Sequence, residues 1–179
     1  MSRYRSKVVR AITALVLLSG ALMWLSQGIS ATHAACPTPG VCISNKPSVA
    51  LTLNGHNKTV SYKLTFILNN KSTSGWNVTI SATQFKSGSH ALPLNASKVK
   101  SMPVASCRTG TCINPASPGT ISYPVTIPIT PVMAKFYNAQ AGTGIGSFKI
   151  SAPISTLVPG NTYAGIYTST ITIALVSGP

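Results

Sequence analysis

The most unusual property of this sequence is the absence of acidic side chains. Its 179 residues include 14 lysines and arginines but no aspartate or glutamate, so the formal net charge is +14 at pH 7. An average domain is about a quarter charged, with both signs present. Without carboxylates the chain cannot build a paired-carboxylate glycosidase site, a Ser-His-Asp triad or a carboxylate-bound calcium or magnesium site. We therefore predict a protein that is not an enzyme and needs no cofactor.

Other reactive groups are also scarce. Beyond residue 35 the only histidines are His56 and His90, and both are expected in solvated loops. The glycine-rich stretch at 142–146 resembles a phosphate-binding loop only superficially, because no strand-then-helix pattern surrounds it. The sequence therefore predicts neither a catalytic residue nor a metal site.

The N-terminus has the layout of an export signal. Four basic residues in the first ten positions precede an apolar run over 11–25, and small residues follow up to Ala34. This is the order of charge, hydrophobic stretch and cleavage site found in signal peptides. The apolar run has about 15 residues, whereas a spanning helix needs roughly 20. We predict a signal-peptide helix over 1–34 that is removed on secretion, and no membrane span in the remainder.

The rest of the chain alternates polar and apolar residues with a period of two, which is typical of half-buried strands. Strands are predicted at 49–53, 60–68, 76–82, 121–129, 148–150 and 171–175. Pro124 and Pro128 assign their strand to a sheet edge. The one segment whose pattern allows a helical turn is 132–139. We predict an all-β fold, an antiparallel Ig-like β-sandwich over 48–179, after a proline-rich lead-in over 35–47.

The four cysteines occur as two close pairs, Cys36 with Cys42 and Cys107 with Cys112. An exported protein is expected to oxidise them. Two local loops are the simplest pairing, and a cross-link between the two regions is the alternative. Zinc sites usually space their ligands by two to four residues, which disfavours a zinc interpretation.

The positive charge has two physical interpretations. A cationic surface attracts anionic polymers such as wall teichoic acid, or anionic lipid headgroups. Alternatively, the protein inhabits acid, where a chain without carboxylates avoids the main cause of acid denaturation. Four of the 14 basic residues belong to the predicted signal, and the remaining ten are scattered singly. Because they form no cluster, a nucleic-acid partner is not expected.

Two segments resemble the WxL domain of bacterial cell-surface proteins. The stretch LNNKSTSGWNVTISATQF, at 68–85, is similar to a strand, a polar loop and a Gly-Trp-x-Leu strand that leads to a phenylalanine. The stretch YAGIYTSTITIALVSGP, at 163–179, is similar to the closing Tyr…Trp-x-Leu strand of that family. The sequence departs from the pattern at Val78, where leucine is usual, and at Ile173, which takes the tryptophan position.

The resemblance implies non-covalent attachment to the cell wall. The candidate binding residues are Trp76, Val78, Tyr163, Tyr167 and Leu175. Trp76 lies on the same alternating face as Val78, so it is either a core residue or a ligand-facing platform. Tyr163 and Tyr167 have an even spacing, which would place both on one side of a single strand.

The predicted function is therefore that of a secreted, cell-wall-associated module whose partner is a wall polymer or another surface protein. The alternative is a subunit of a surface filament or coat that forms homo-oligomers through strand edges, because the C-terminal strand also resembles those of fimbrial and spore-coat subunits. In that alternative the stretch 36–47 is the segment donated to a neighbour.

Overall fold

Strands account for all the regular secondary structure in the part of the chain that the structure describes. The structure is a computed structural model that describes residues 36–178, so the predicted signal-peptide helix over 1–34 lies outside the described residues. The strands in chain order are β1 (Gly40–Ile43), β2 (Lys58–Asn70), β3 (Trp76–Ala82), β4 (Lys86–Ser87), β5 (His90–Ala91), β6 (Ser97–Val99), β7 (Val104–Ile113), β8 (Val125–Thr126), β9 (Ala134–Ala139), β10 (Ile145–Val158) and β11 (Ile171–Ser177).

Six of these strands form the large sheet. Its order is β1-β2-β10-β6-β8, and β7 pairs with β10 alongside β6. The longest ladder joins β2 and β10 from Gly146 opposite Asn70 to Val158 opposite Lys58. The small sheet has the order β11-β3-β9, and β4 and β5 form a separate hairpin. Because every pairing between strands is antiparallel, the predicted all-β, antiparallel class is confirmed.

The hydrophobic core lies between the two sheets, as in a sandwich. Alternate residues of β2 and β10 supply one side of it, and alternate residues of β3 supply most of the other. Phe66 of the large sheet meets Phe136 of the small sheet edge-on, with ring centroids 6.0 Å apart. The largest fully buried side chains are those of Trp76, Phe66, Phe136, Phe148, Leu64, Leu68, Ile80, Ile127, Ile150, Ile154, Val78 and Val99.

Two of the predicted local structures are wrong. The segment 49–53 alternates like a strand but has no ladder partner, and the side chain of Val49 is 48 % exposed. The segment 132–139 contains β9 and no helical turn, because β3 supplies a pairing edge for it. Segment 49–53 is not a strand because no strand among the described residues lies beside it to pair with, and 132–139 contains a strand because β3 lies beside it. Local alternation of residues carries no information about such partners.

The remaining differences concern strand limits. The predicted strand at 121–129 is reduced to β8, and β8 does end the large sheet as Pro124 and Pro128 indicated. Part of the proline-rich lead-in is itself a strand, since β1 pairs with β2 from Gly40 opposite Asn69 to Ile43 opposite Phe66. The lead-in therefore belongs to the sandwich at its edge.

Both disulfides are local, as the simpler pairing predicted. Cys36 is bonded to Cys42, and Cys107 is bonded to Cys112. No free cysteine remains in the described residues. Disulfides of this kind persist in oxidising compartments outside the cytoplasm.

Candidate functional site

The structure divides the five predicted binding residues into two groups. Trp76, Val78 and Leu175 come together on β3 and β11, where Val78 lies opposite Leu175. Tyr163 and Tyr167 lie in the loop between β10 and β11 and not on a strand, so the prediction that they share one face of a strand is wrong. The backbone bridge between Lys86 and Thr168 joins this loop to β4, four residues beyond the C-terminal end of β3, whereas Trp76 begins that strand.

Trp76 and Val78 are core residues. Their side chains are 1 % and 0 % exposed, so neither is presented to a ligand. The indole Nε1–H of Trp76 donates a hydrogen bond of 2.9 Å to the carbonyl oxygen of Gly144. Its ring meets Tyr137 edge-on, with centroids 5.4 Å apart and an interplanar angle of 64°. The burial, the satisfied N–H and the edge contact are those of a structural tryptophan.

Backbone geometry fits closely around the indole. Gly144 has a φ of +64°, and a Cβ atom at this position would lie 2.5 Å from Trp76 Nε1. Position 144 therefore requires a glycine for two reasons: the backbone has a positive φ, and the indole occupies the space that a side chain would need. The stretch at 142–146, which resembles a phosphate-binding loop in sequence, serves here as the wall of the tryptophan pocket.

A cleft of about 200 Å³ opens beside Trp76, between β1 and β11. Gly40 borders it on one side and Leu175 on the other. Leu175 is only partly buried, so of the three predicted residues on these strands it is the one that reaches the surface. The nearby Asn70 is buried and donates to the carbonyl oxygens of Ser72 and Gly144, so its amide hydrogens are already satisfied.

The loop between β10 and β11 and the β4–β5 hairpin together form an exposed aromatic stack, defined as Tyr163 of the loop and His90 of β5. The two rings lie 4.1 Å apart at an interplanar angle of 21°. Tyr163 is 65 % exposed, and the neighbouring Ile166 is 85 % exposed. The Tyr167 hydroxyl donates a 3.2 Å hydrogen bond to the carbonyl oxygen of Tyr163 and so supports the stack from within its own loop.

The loop is held on the β4–β5 hairpin by backbone contacts. Lys86 and Thr168 exchange two hydrogen bonds of 3.0 Å. Gly165 lies so close to Ser87 that a Cβ atom on it would come within 2.5 Å of the serine Oγ. The stack is therefore positioned by two chain segments that are distant in sequence, and periodicity did not indicate the role of His90.

The outward surface of the large sheet carries a second feature, which we call the lysine face and define by Lys63, Lys98 and Lys149. Lys63 lies on β2 opposite Pro153, and Lys149 lies on β10 opposite Ile67. Lys98 lies on β6 opposite Ser155. Each alternates with buried neighbours along its strand, so its exposed side chain points away from the core.

Hydroxyl groups occupy many of the outward positions around the three lysines, together with Pro153 and Ile67, which lie opposite Lys63 and Lys149. The outward positions around them include Ser61, Thr65, Ser106, Ser147, Ser151 and Ser155. From the register and the strand spacing, Lys63 lies roughly 10–15 Å from each of the other two lysines, which are themselves roughly 20 Å apart. Because the chain has no side-chain carboxylate, none of these charges is paired with an acidic side chain. A cationic face of this extent, with hydroxyl groups among the lysines, suits an extended anionic chain better than a small molecule.

The sequence contained part of the signal for this face. In each case the lysine stands between two inward-facing residues, as Lys149 does between Phe148 and Ile150. Alternation therefore places Lys63 and Lys149 outside, whereas no strand is predicted around Lys98. That β2, β10 and β6 are neighbours could not be read from the sequence, because it follows from ladders between distant segments.

Two tyrosines, the partly buried Tyr123 and the buried Tyr137, have a raised pKa. Burial, and secondarily the charge of Tyr137, raises the pKa of Tyr123 to about 12. Burial likewise raises the pKa of Tyr137. The Tyr123 hydroxyl donates a 2.6 Å hydrogen bond to the carbonyl oxygen of Phe136, which keeps the group in its neutral form. Tyr137 packs against Trp76, and Tyr123 packs against the same hydrophobic core.

Within residues 36–178 no three histidine or cysteine side chains converge as metal ligands would. The same residues include no helix of the length and hydrophobicity that a membrane span requires.

Comparison with known proteins returned no similarity on which a family could be based. No family model matches the sequence, and neither the curated proteins nor the solved structures contain a significant match. The resemblance to the WxL domain therefore stays a prediction.

Proposed function

We propose that this protein is a secreted, non-catalytic surface module that associates with an anionic polymer of the cell wall through its lysine face. The observation that carries the proposal is the convergence of Lys63, Lys98 and Lys149 on one face of the large sheet, in a chain without carboxylates. Two local disulfides and the resemblance to WxL domains support a location outside the cytoplasm.

The physical reason is that the lysine face is uncompensated. Three ammonium groups share one surface, and like charges at this separation repel each other when ionic strength is low. A polyanion laid across the strands would relieve this repulsion and accept hydrogen bonds from outward hydroxyls such as those of Ser61, Ser151 and Ser155, whereas Ser106 and Ser147 already donate within the protein. Scattered surface lysines elsewhere would contribute only through long-range attraction, which salt screens.

The direct test is co-sedimentation of the purified protein with isolated bacterial cell walls at low salt. The variant carries Lys63→Gln, Lys98→Gln and Lys149→Gln together. Exposed ion pairs contribute roughly 0.5–1 kcal/mol each, so losing three should weaken binding about 10- to 100-fold.

The matched control carries Lys71→Gln, Lys86→Gln and Lys135→Gln. These lysines are also exposed but lie outside the lysine face, so the net charge changes by the same amount. We expect the control to bind within about threefold of the natural protein. Equal losses in the two variants would show that net charge, and not this face, is responsible.

A second arm identifies the wall component. Walls stripped of phosphate-containing polymer should bind the protein poorly, because peptidoglycan alone lacks the dense charge that the face requires. Undiminished binding to stripped walls would overturn the anionic-polymer proposal and favour the direct peptidoglycan attachment that the resemblance implies. Failure to sediment with intact walls at any salt concentration would overturn wall association itself.

A further inference from the structure

A sheet edge exposes unpaired backbone groups, and most edges of this sandwich are protected. The loop before β8 covers β9: Gln140 donates its backbone N–H to the carbonyl oxygen of Ala116, and the Asn138 side chain contacts Ser117 and Thr120. At the end of the large sheet, β8 has only two residues between Pro124 and Pro128. Short length and flanking prolines are standard protections of an edge.

The other two edges of the large sheet are interrupted by disulfides. β1 has four residues, and Cys42 within it is bonded to Cys36. β7 is longer, but its pairing with β10 has register shifts and it contains both Cys107 and Cys112. β7 also carries Arg108, which is exposed. A strand from another molecule could therefore not form a continuous, regular ladder with either β1 or β7.

β11 differs from all of these. It is a seven-residue strand, ITIALVS, without a proline, a lysine or a bulge. In the described part of the chain it has a ladder partner on one side only, namely β3; β1 of the large sheet lies near β11 across the cleft but forms no ladder with it. Ile171, Ile173 and Leu175 pack against the core but remain partly exposed, so the apolar interior reaches the surface along this strand.

The hydrogen-bond pattern shows which backbone groups are free. Thr83 donates to Thr170 and Gly178 donates to Gly75, so the even-numbered residues of β11 are those that bond to β3. Hydrogen-bonded and non-bonded pairs alternate in an antiparallel ladder. The N–H and C=O groups of the odd-numbered residues therefore point away from β3, and these residues are Ile171, Ile173, Leu175 and Ser177.

This pattern is symmetric about Ala174. If two copies of β11 run antiparallel with Ala174 opposite Ala174, then Ile173 meets Leu175 and Ile171 meets Ser177 of the second copy. Every outward-pointing residue then faces another outward-pointing residue, as hydrogen-bonded pairs require. The absence of charge in β11 also matters, because any lysine in this strand would be repelled by its counterpart.

We propose that β11 pairs with β11 of a second copy of this chain about a two-fold axis at Ala174. The two small sheets then form one continuous sheet, and the partly exposed apolar residues of each β11 are covered by the other copy. A two-fold contact of this type is self-complementary and closes after two subunits, so it gives a dimer and not a filament. The dimer does not depend on the lysine face, although it would present two such faces to one polymer and raise the avidity.

The test is cross-linking with single cysteines on β11, using the purified protein with its two disulfides intact. Residues at the axis form a non-hydrogen-bonded pair, whose Cα atoms are about 4.5 Å apart, which a disulfide can bridge. Ala174→Cys should therefore give a covalent dimer under mild oxidation. Thr172→Cys and Val176→Cys should each fail alone, because the symmetric register places residue 172 opposite residue 176.

Mixing the Thr172→Cys and Val176→Cys variants sharpens the result, since the mixture should give the cross-linked dimer that neither variant gives alone. Far-UV circular dichroism checks that each variant is folded, and light scattering gives the mass of the uncross-linked protein. A monomer at all concentrations would overturn the proposal. A dimer in which Thr172→Cys cross-links to itself, or Ala174→Cys does not, would overturn this pairing of β11.

Discussion

Two aromatic clusters in this molecule look alike in sequence and differ in three dimensions. Trp76 and Tyr137 form a closed cluster, in which the tryptophan is 1 % exposed and its N–H is bonded to Gly144. His90 and Tyr163 form an open cluster, in which the tyrosine is 65 % exposed. Both clusters include a residue predicted to bind a ligand, but only the open cluster presents a ring to solvent.

The difference in exposure follows from the element on which each aromatic residue lies. Trp76 begins a central strand that is paired on both sides, so its alternating face is directed into the sandwich. Tyr163 belongs to a loop that contacts the hairpin through Lys86 and Thr168, where no second sheet covers it. The number of neighbouring strands, more than the identity of the aromatic residue, decides whether it packs or is available for binding.

Replacing Trp76 by alanine tests the closed cluster most severely. The change removes a fully buried indole and leaves the carbonyl oxygen of Gly144 without its partner. We expect the free energy of unfolding to fall by about 3–5 kcal/mol, as measured by urea denaturation. Wall binding per folded molecule should not change. A stable variant that had lost binding would instead assign Trp76 a direct contact with the ligand.

Adding a methyl group at Gly144, which packs against the indole of Trp76, tests the closed cluster in a second way. Gly144→Ala places a Cβ atom 2.5 Å from the indole nitrogen at a φ of +64°, so we expect a loss of roughly 2–3 kcal/mol. Gly142→Ala is the matched control, because its φ is +78° but no atom lies within 4 Å of the added Cβ. The control should lose only about 1 kcal/mol. Equal losses would mean that the indole does not confine this position.

Alkaline pH should act on Tyr123, which packs against the core and bonds to β9, the strand that carries Tyr137. Tyr123 ionises at about pH 10 when unfolded but has a pKa of about 12 in the folded protein. The unfolded chain therefore releases this proton first, so the stabilisation is complete below pH 10 and is lost as pH rises towards 12. With Tyr123→Phe, the free energy of unfolding should decline less steeply above pH 10. At neutral pH this variant should be less stable by about 1 kcal/mol, because the hydrogen bond to Phe136 is lost. If the free energy of unfolding of this variant fell with pH as steeply as that of the natural protein, the alkaline loss of stability could not be assigned to Tyr123.

Tyr163→Ala should have the opposite effects to Trp76→Ala. The side chain is mostly exposed, so we expect unfolding to change by less than about 1 kcal/mol. If the open cluster contacts the wall polymer, loss of its ring should weaken co-sedimentation by roughly two- to tenfold, because partial burial of an aromatic ring contributes about 0.5–1.5 kcal/mol. Tyr163→Phe keeps the ring and serves as the control. Unchanged binding by the alanine variant would leave the lysine face as the whole contact.

Acid should have the smallest effect and should spare both clusters. Because the chain contains no aspartate or glutamate, no side-chain carboxylate is forced to protonate between about pH 5 and pH 2. We expect the free energy of unfolding to vary by less than about 1 kcal/mol over that range. Cooperative acid unfolding near pH 3–4 would contradict this and would remove acid habitat as an explanation for the composition.

Much of the fold could be predicted where alternation was long and regular. The faces of β2 and β3 were assigned correctly from Leu64, Phe66 and Ile80, which are all buried. Prediction failed at 49–53 and at 132–139, where the presence of a pairing partner outweighed local pattern. It also failed at Tyr163 and Tyr167, because an even spacing in a loop carries no information about a shared face.

The sequence by itself determined the chemistry that is missing and the residues that prefer burial. No fold can create a carboxylate site from a chain without carboxylates, and two cysteine pairs separated by five and six residues close naturally as local loops. The tertiary structure alone decided which strands are neighbours. That arrangement gathers Lys63, Lys98 and Lys149 on one face, encloses Trp76 and leaves β11 with a free edge. The reason is that ladders join residues far apart in the chain, whereas sequence patterns report only on neighbours along it.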